Sequence, residues 1–110
     1  MLFRSFQKGL TAYENGDFAT ALREWTALAE QGDASAQYNL GVIYKEGQGV
    51  PQDYKTAVKW YTRAADQKNS YAQNNLGVMY DKGHGVLQDY RTAAKWYTQA
   101  AAQEIGRAHV

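Results

Sequence analysis

The stretch AQYNLGVIYKEGQGVPQDYKTAVKWYTRAADQ, residues 36–67, returns 36 residues later as AQNNLGVMYDKGHGVLQDYRTAAKWYTQAAAQ, residues 72–103. Without gaps, 22 of the 32 aligned positions are identical, far more than shared helical composition produces. The changes Ile43 to Met79, Lys55 to Arg91 and Val58 to Ala94 keep chemical character. An internal repeat of this length is the signature of a stacked architecture.

A degenerate copy precedes these two. In AYENGDFATALREWTALAEQ, residues 12–31, a Tyr is followed by Gly, Asp, an aromatic residue, Ala, Trp and Ala in the same order. Pairing Tyr13 with Tyr44 and Phe18 with Tyr54 makes the first copy five residues shorter, without the Gly-x-Gly-Val-x-Gln segment. The chain therefore divides into a degenerate repeat over 1–33, repeats over 34–69 and 70–104, and a remainder over 105–110.

Each repeat reads as two helices. Ala36, Asn39, Leu40, Ile43 and Tyr44 fall on one helical face, and Tyr54, Ala57, Val58, Tyr61, Ala64 and Ala65 form a second stripe. Gly47 stands where a left-handed residue ends the first helix, and Asp53 where a carboxylate caps the second. Ser70 with Gln73 has capping-box spacing at the next helix start, and Gly32 with Asp33 marks the corresponding turn one repeat earlier. Gly41 and Gly77 cost each first helix roughly 1 kcal/mol against Ala. Their recurrence predicts close approach to a packed neighbour. One hairpin of this size buries too little apolar surface alone, so the expected fold is an all-α solenoid whose core runs from hairpin to hairpin.

The whole composition excludes several classes. Twelve Lys and Arg against 11 Asp and Glu give a formal net charge of +1, which supplies no field for nucleic acid or an anionic membrane. The longest apolar run is three residues, as in Val42, Ile43 and Tyr44, so neither a membrane span nor a signal-peptide core is expected. The chain reads as soluble, cytoplasmic by default, and periplasmic or secreted if an N-terminal segment is missing. The absence of Cys removes disulfides, thiolate metal sites and Cys nucleophiles.

The pattern Ala-x-x-x-Leu-Gly-x-x-Tyr-x-x-Gly-x-Gly-Val, then Asp, Ala, Trp-Tyr and Ala-Ala, resembles the Sel-one-like repeat, a relative of the tetratricopeptide repeat. The first copy, with GDFATAL, looks more like an ordinary tetratricopeptide hairpin. The resemblance implies a right-handed superhelix whose first helices line a concave surface, acting as a non-enzymatic adaptor, largely bacterial, that binds proteins or peptides. It places Tyr38, Val42 and Lys45, then Asn74, Val78 and Asp81, on that surface. A helical wheel gives the same set, about half a turn from the core stripe. The first copy contributes Gln7, Thr11 and Glu14 in the register set by Tyr13. Rows Gln7, Tyr38, Asn74 and Thr11, Val42, Val78 offer no cationic pair to clamp a carboxylate, so the expected ligand is an extended, partly apolar peptide with Tyr38 as its anchor.

Other chemistry finds little support. His84 and His109 have no second ligand at metal spacing, so no metal or cofactor is expected, and His84 reads as a variable loop residue. Ser5 and Lys8 make a Ser-x-x-Lys spacing, but its Ser-Asp-Asn and Lys-Thr-Gly companions are absent. Cysteine-rich relatives of this repeat are linked to β-lactam binding, which leaves a cell-envelope enzyme or β-lactam-binding protein as the alternative. Gly47 and Gly49, like Gly83 and Gly85, lack the strand and third glycine of a phosphate cradle. The stripe Lys55, Lys59, Arg63, Arg91 and Lys95 reads as a solvated face, and Trp60 and Trp96 as packing residues.

The string IGRAHV, residues 105–110, abandons the repeat and matches the translation of a common sequencing adapter. It is expected to be a non-native tail. The last helix is then expected to expose a face meant for a neighbour, with self-association there as a consequence.

Overall fold

The structure, a computed structural model, describes residues 2–108, with side chains from 3 to 104. Only the backbone of 105–108 belongs to it, so the reading of 105–110 as a foreign tail, and His109 with it, lies outside the described residues. Six helices follow in order: α1 Leu2–Glu14, α2 Phe18–Glu30, α3 Ala34–Glu46, α4 Tyr54–Asp66, α5 Ser70–Lys82 and α6 Tyr90–Ala108. There is no strand among the described residues. Helices pair as α1 with α2, α3 with α4 and α5 with α6, and each pair packs on the one before it. This is the expected all-α solenoid, 37 × 36 × 22 Å in extent.

Local chemistry sets the helix ends. Asp17, Asp33 and Asp53 each accept a hydrogen bond from the backbone N–H three residues on, at 3.2, 2.9 and 3.2 Å. Each thereby satisfies one of the donors a helix start leaves free. At the start of α5 the cap is Asn69, which accepts from the Ala72 N–H at 2.9 Å. This corrects the capping-box reading: Ser70 is already helical and buried, and the Gln73 amide donates to the Ala65 carbonyl. Gly47 and Gly83 close α3 and α5 in the left-handed conformation, at φ 71° and 70°. In the loops that follow, the Gln52 and Gln88 amides donate to the carbonyls of Lys45 and Asp81, at 2.8 and 2.7 Å, capping otherwise free acceptors of the last turn.

The core lies between hairpins. Trp25, Leu28, Ala29, Ala36, Leu40, Ile43 and Trp60 join the first pair to the second. Ala57, Val58, Tyr61, Ala64, Ala65, Ala72, Leu76 and Met79 join the second to the third. Burying a residue such as Leu40 or Ile43 stabilises the stack by roughly 1.5 to 3 kcal/mol, which is what a lone hairpin forgoes.

A buried glutamine reinforces each junction. The Gln37 amide donates to the Ala29 carbonyl at 3.0 Å, and its own oxygen accepts from Gln67 at 2.9 Å. Gln73 repeats this with Ala65 and Gln103.

The first copy is one residue out of the expected register. The Phe6 and Trp25 rings lie 5.8 Å apart, as Tyr38 and Tyr61 lie 5.9 Å apart. A Cβ on Gly9 would overlap Trp25, as one on Gly41 would overlap Tyr61. The starts of α1 and α3, Leu2 and Ala34, are accordingly 32 residues apart, while those of α2 and α4, Phe18 and Tyr54, are 36 apart. The loop is thus four residues shorter, not five, and Tyr13 corresponds to Lys45 rather than Tyr44. Ring packing, not the Tyr match, fixes the alignment.

Candidate functional site

The first helices of successive hairpins, α1, α3 and α5, stand side by side and leave two clefts. The cleft between α1 and α3 has a volume of about 220 Å³ and is lined by Leu10, Tyr13, Trp25, Tyr38, Asn39 and Val42. The cleft between α3 and α5, about 180 Å³, is lined by Lys45, Glu46, Gln52, Tyr54, Val78 and Lys82, among others. The first is aromatic and aliphatic; the second is mainly polar.

Four of the six candidate residues, Tyr38, Val42, Lys45 and Val78, line these clefts; Asn74 and Asp81 do not. Tyr38 is half-buried, its ring centroid 5.9 Å from those of both Tyr61 and Tyr71. Burial raises the pKa of its hydroxyl above the ordinary tyrosine value, and a hydrogen bond with Asn75 works in the other direction. Val42 is half-buried and packs on the second core cluster as well as lining the cleft. Lys45 is half-buried, its ammonium 3.8 Å from the Glu46 carboxylate. Across the second cleft Val78 is half-buried, while Asn74 is exposed. Asp81 is half-buried, and its negative charge adds to burial in raising the Tyr97 hydroxyl.

A helix in a solenoid has a neighbour on both sides. The stripe of α3 that faces away from Leu40 meets α5. In the first hairpin the corrected register replaces Gln7, Thr11 and Glu14, all exposed, by Phe6, Leu10 and Tyr13. Leu10 and Tyr13 do line the first cleft, and the helical spacing Phe6, Leu10, Tyr13 carried that signal. Tyr71, 62% exposed beside Tyr38, is a further aromatic that the sequence reading missed.

His84 corrects its reading as a solvated loop residue: its ring stacks on Tyr54 at 4.4 Å with 8° between the planes. On the second helices, Arg63 and Lys59 sit over Trp60 at 4.8 and 5.4 Å, and Lys95 over Trp96 at 6.0 Å. These cations are attached to packed indoles. Lys8 of the Ser-x-x-Lys spacing is engaged by Glu24 at 3.3 Å.

Comparison with known proteins follows the same lines. The Sel1 repeat profile matches residues 34–69 and 70–104. No curated protein sequence matches. Among solved structures, a Sel1 repeat protein from Oxalobacter formigenes aligns with 35% identity and a TM-score of 0.82, over 86% of this chain and 39% of that one. The protective antigen c5321 of uropathogenic Escherichia coli, which displays an SLR fold, aligns with 38% identity and a TM-score of 0.87, over 93% of this chain and 23% of that one. Cysteine-rich protein B of Helicobacter pylori shares the fold at 20% identity and a TM-score of 0.72, covering 92% of this chain and 86% of its own. The chain thus spans well under half of the first two. Repeat length, hairpin geometry and these matches agree, and the chain belongs to the Sel1 repeat family.

Proposed function

We propose that this chain is a non-enzymatic adaptor that holds an extended, partly apolar peptide segment of a partner protein along α1, α3 and α5. Sel1-type repeats commonly mediate protein–protein interaction. The observation that carries the finer reading is the aromatic cleft formed by Leu10, Tyr13, Trp25, Tyr38 and Val42, continued toward the polar cleft by Lys45 and Val78. An aliphatic or aromatic side chain fits the first cleft, and a backbone amide of an extended segment finds Asn39 in its lining. One or two such anchors dominate affinity in interfaces of this kind.

Selection of binders from a random peptide library, followed by NMR shift mapping, tests this. Shifts confined to Tyr13, Tyr38, Asn39, Val42, Asn74 and Val78 support the groove. Shifts confined to Lys59, Arg63 and Lys95 on the second helices contradict it.

A further inference from the structure

The two ends of the stack are chemically unequal. Among the positions each later hairpin presents to the one before it are Ala36, Leu40, Ile43 and Trp60 in the second, and Ala72, Leu76, Met79 and Trp96 in the third. With α1 32 residues ahead of α3 and α2 36 ahead of α4, the same positions in the first hairpin hold Arg4, Lys8, Thr11 and Glu24. Lys8 and Glu24 pair at 3.3 Å, joining α1 to α2 where Leu40 and Trp60 pack in the next hairpin. Arg4, Lys8 and Thr11 are exposed and line an open recess of about 720 Å³ together with Phe3 and Gln7. Inserting this face between two hairpins would strip water from two cations and a carboxylate.

The other end keeps its docking residues. The second hairpin receives the third on Tyr54, Val58, Tyr61 and Ala65 of α4, and their counterparts on α6 are Tyr90, Ala94, Tyr97 and Ala101. Val58 and Ala65 are 9% and 2% exposed, whereas Ala94 and Ala101 are exposed and Tyr90 is 66% exposed.

We infer that the α5–α6 face docks a further hairpin of this same repeat type, with Ala-x-x-x-Leu-x-x-Ile/Met on its first helix and Trp on its second, and that the α1–α2 face is closed to such stacking. The internal junctions argue for this occupant: α3–α4 offers the same face and holds a hairpin with those residues. A second copy of this chain does not qualify, because its first hairpin offers Arg4, Lys8, Thr11 and Glu24 instead. The two end faces therefore differ in what they accept.

Sedimentation velocity tests this on the full chain. The parent is expected to remain monomeric, and R4A/K8L/T11I/E24W to associate head to tail as concentration rises, reverting to monomer when A94D/A101D is added. Should the fourfold variant not fold, a chain carrying a tandem copy of 68–103 after Gln103 decides. It should melt above the parent, and lose that gain when the counterparts of Leu76 and Trp96 in the added copy become Lys and Glu. A folded fourfold variant that stays monomeric, a tandem chain with no gain in melting temperature, or a parent that dimerises through α6 would overturn the inference.

Discussion

Gly41 lies directly against the ring of Tyr61, so close that a Cβ at that position would overlap the ring, and Gly77 stands in the same relation to Tyr97, at 2.7 Å. A helical glycine at mid-helix is thus exchanged for an aromatic ring packed flush on the partner helix. Gly41→Ala gains roughly 1 kcal/mol of helix propensity but overpacks a ring that is fully buried. Such insertions cost about 1 to 3 kcal/mol, so net destabilisation is expected in urea unfolding. The loss should shrink in the Tyr61→Leu background, where the ring is gone; an undiminished loss there would contradict the contact.

The second glycine of each loop, Gly49 or Gly85, joins one hairpin to the previous one. At φ 79°, Gly85 leaves room for a Cβ only 2.6 Å from the Tyr54 carbonyl, and Gly49 at φ 77° stands 2.7 Å by the same measure from the Phe18 Cβ. Gly85→Ala combines left-handed strain with a backbone clash, and a loss of about 1 to 3 kcal/mol is expected. Hydrogen exchange should place it at the junction of α4 with α5 while protection between α2 and α3 persists.

Gln73→Leu removes the donor to the Ala65 carbonyl and the acceptor for the Gln103 amide, both at a buried junction. The Ala65 carbonyl keeps the Lys68 N–H as a partner, so the cost falls on the Gln103 amide and is roughly 1 to 3 kcal/mol. Leu76→Ala at the same junction should cost about 2 to 5 kcal/mol, whereas Val78→Ala in the cleft should cost distinctly less. Equal costs for the last two would contradict the assignment of Val78 to the cleft.

Stability should fall in acid. Hydrogen bonds from Thr20, Thr56 and Thr92 to the ionised carboxylates hold Asp17, Asp53 and Asp89 below their ordinary value of 3.8. A depressed folded pKa means that the contribution is present above the unfolded value and is lost as pH falls through the folded one, in the region below about pH 4. Asn also caps helices, so D17N/D53N/D89N should melt near the parent at neutral pH and lose less on acidification. An unchanged acid dependence would show that other carboxylates govern it.

Much of this fold could be read from residues alone. The apolar stripes on α3 and α4, the cap Asp53, the turn at Gly32 and Asp33 and the terminating Gly47 all act within a few residues of chain, where spacing is a sufficient guide. What spacing missed was set across hairpins. Phe6 rather than Gln7 belongs with Tyr38 because a ring must lie against Gly9, a contact made with α2. His84 stacks on Tyr54 because its loop reaches back to the previous pair. Tyr38 and Val42 were recognised as a face of α3, but their half-burial follows from α5 standing beside them.

The central claim is that α1, α3 and α5 bind a partner's peptide, and affinity for a library-selected peptide tests it most directly. V42A/V78A removes apolar surface from both clefts at roughly 0.8 kcal/mol per buried methylene, so binding should weaken about tenfold or more, while K59A/K95A on the second helices leaves it unchanged. Unchanged binding by folded V42A/V78A, with loss in K59A/K95A, would contradict the account.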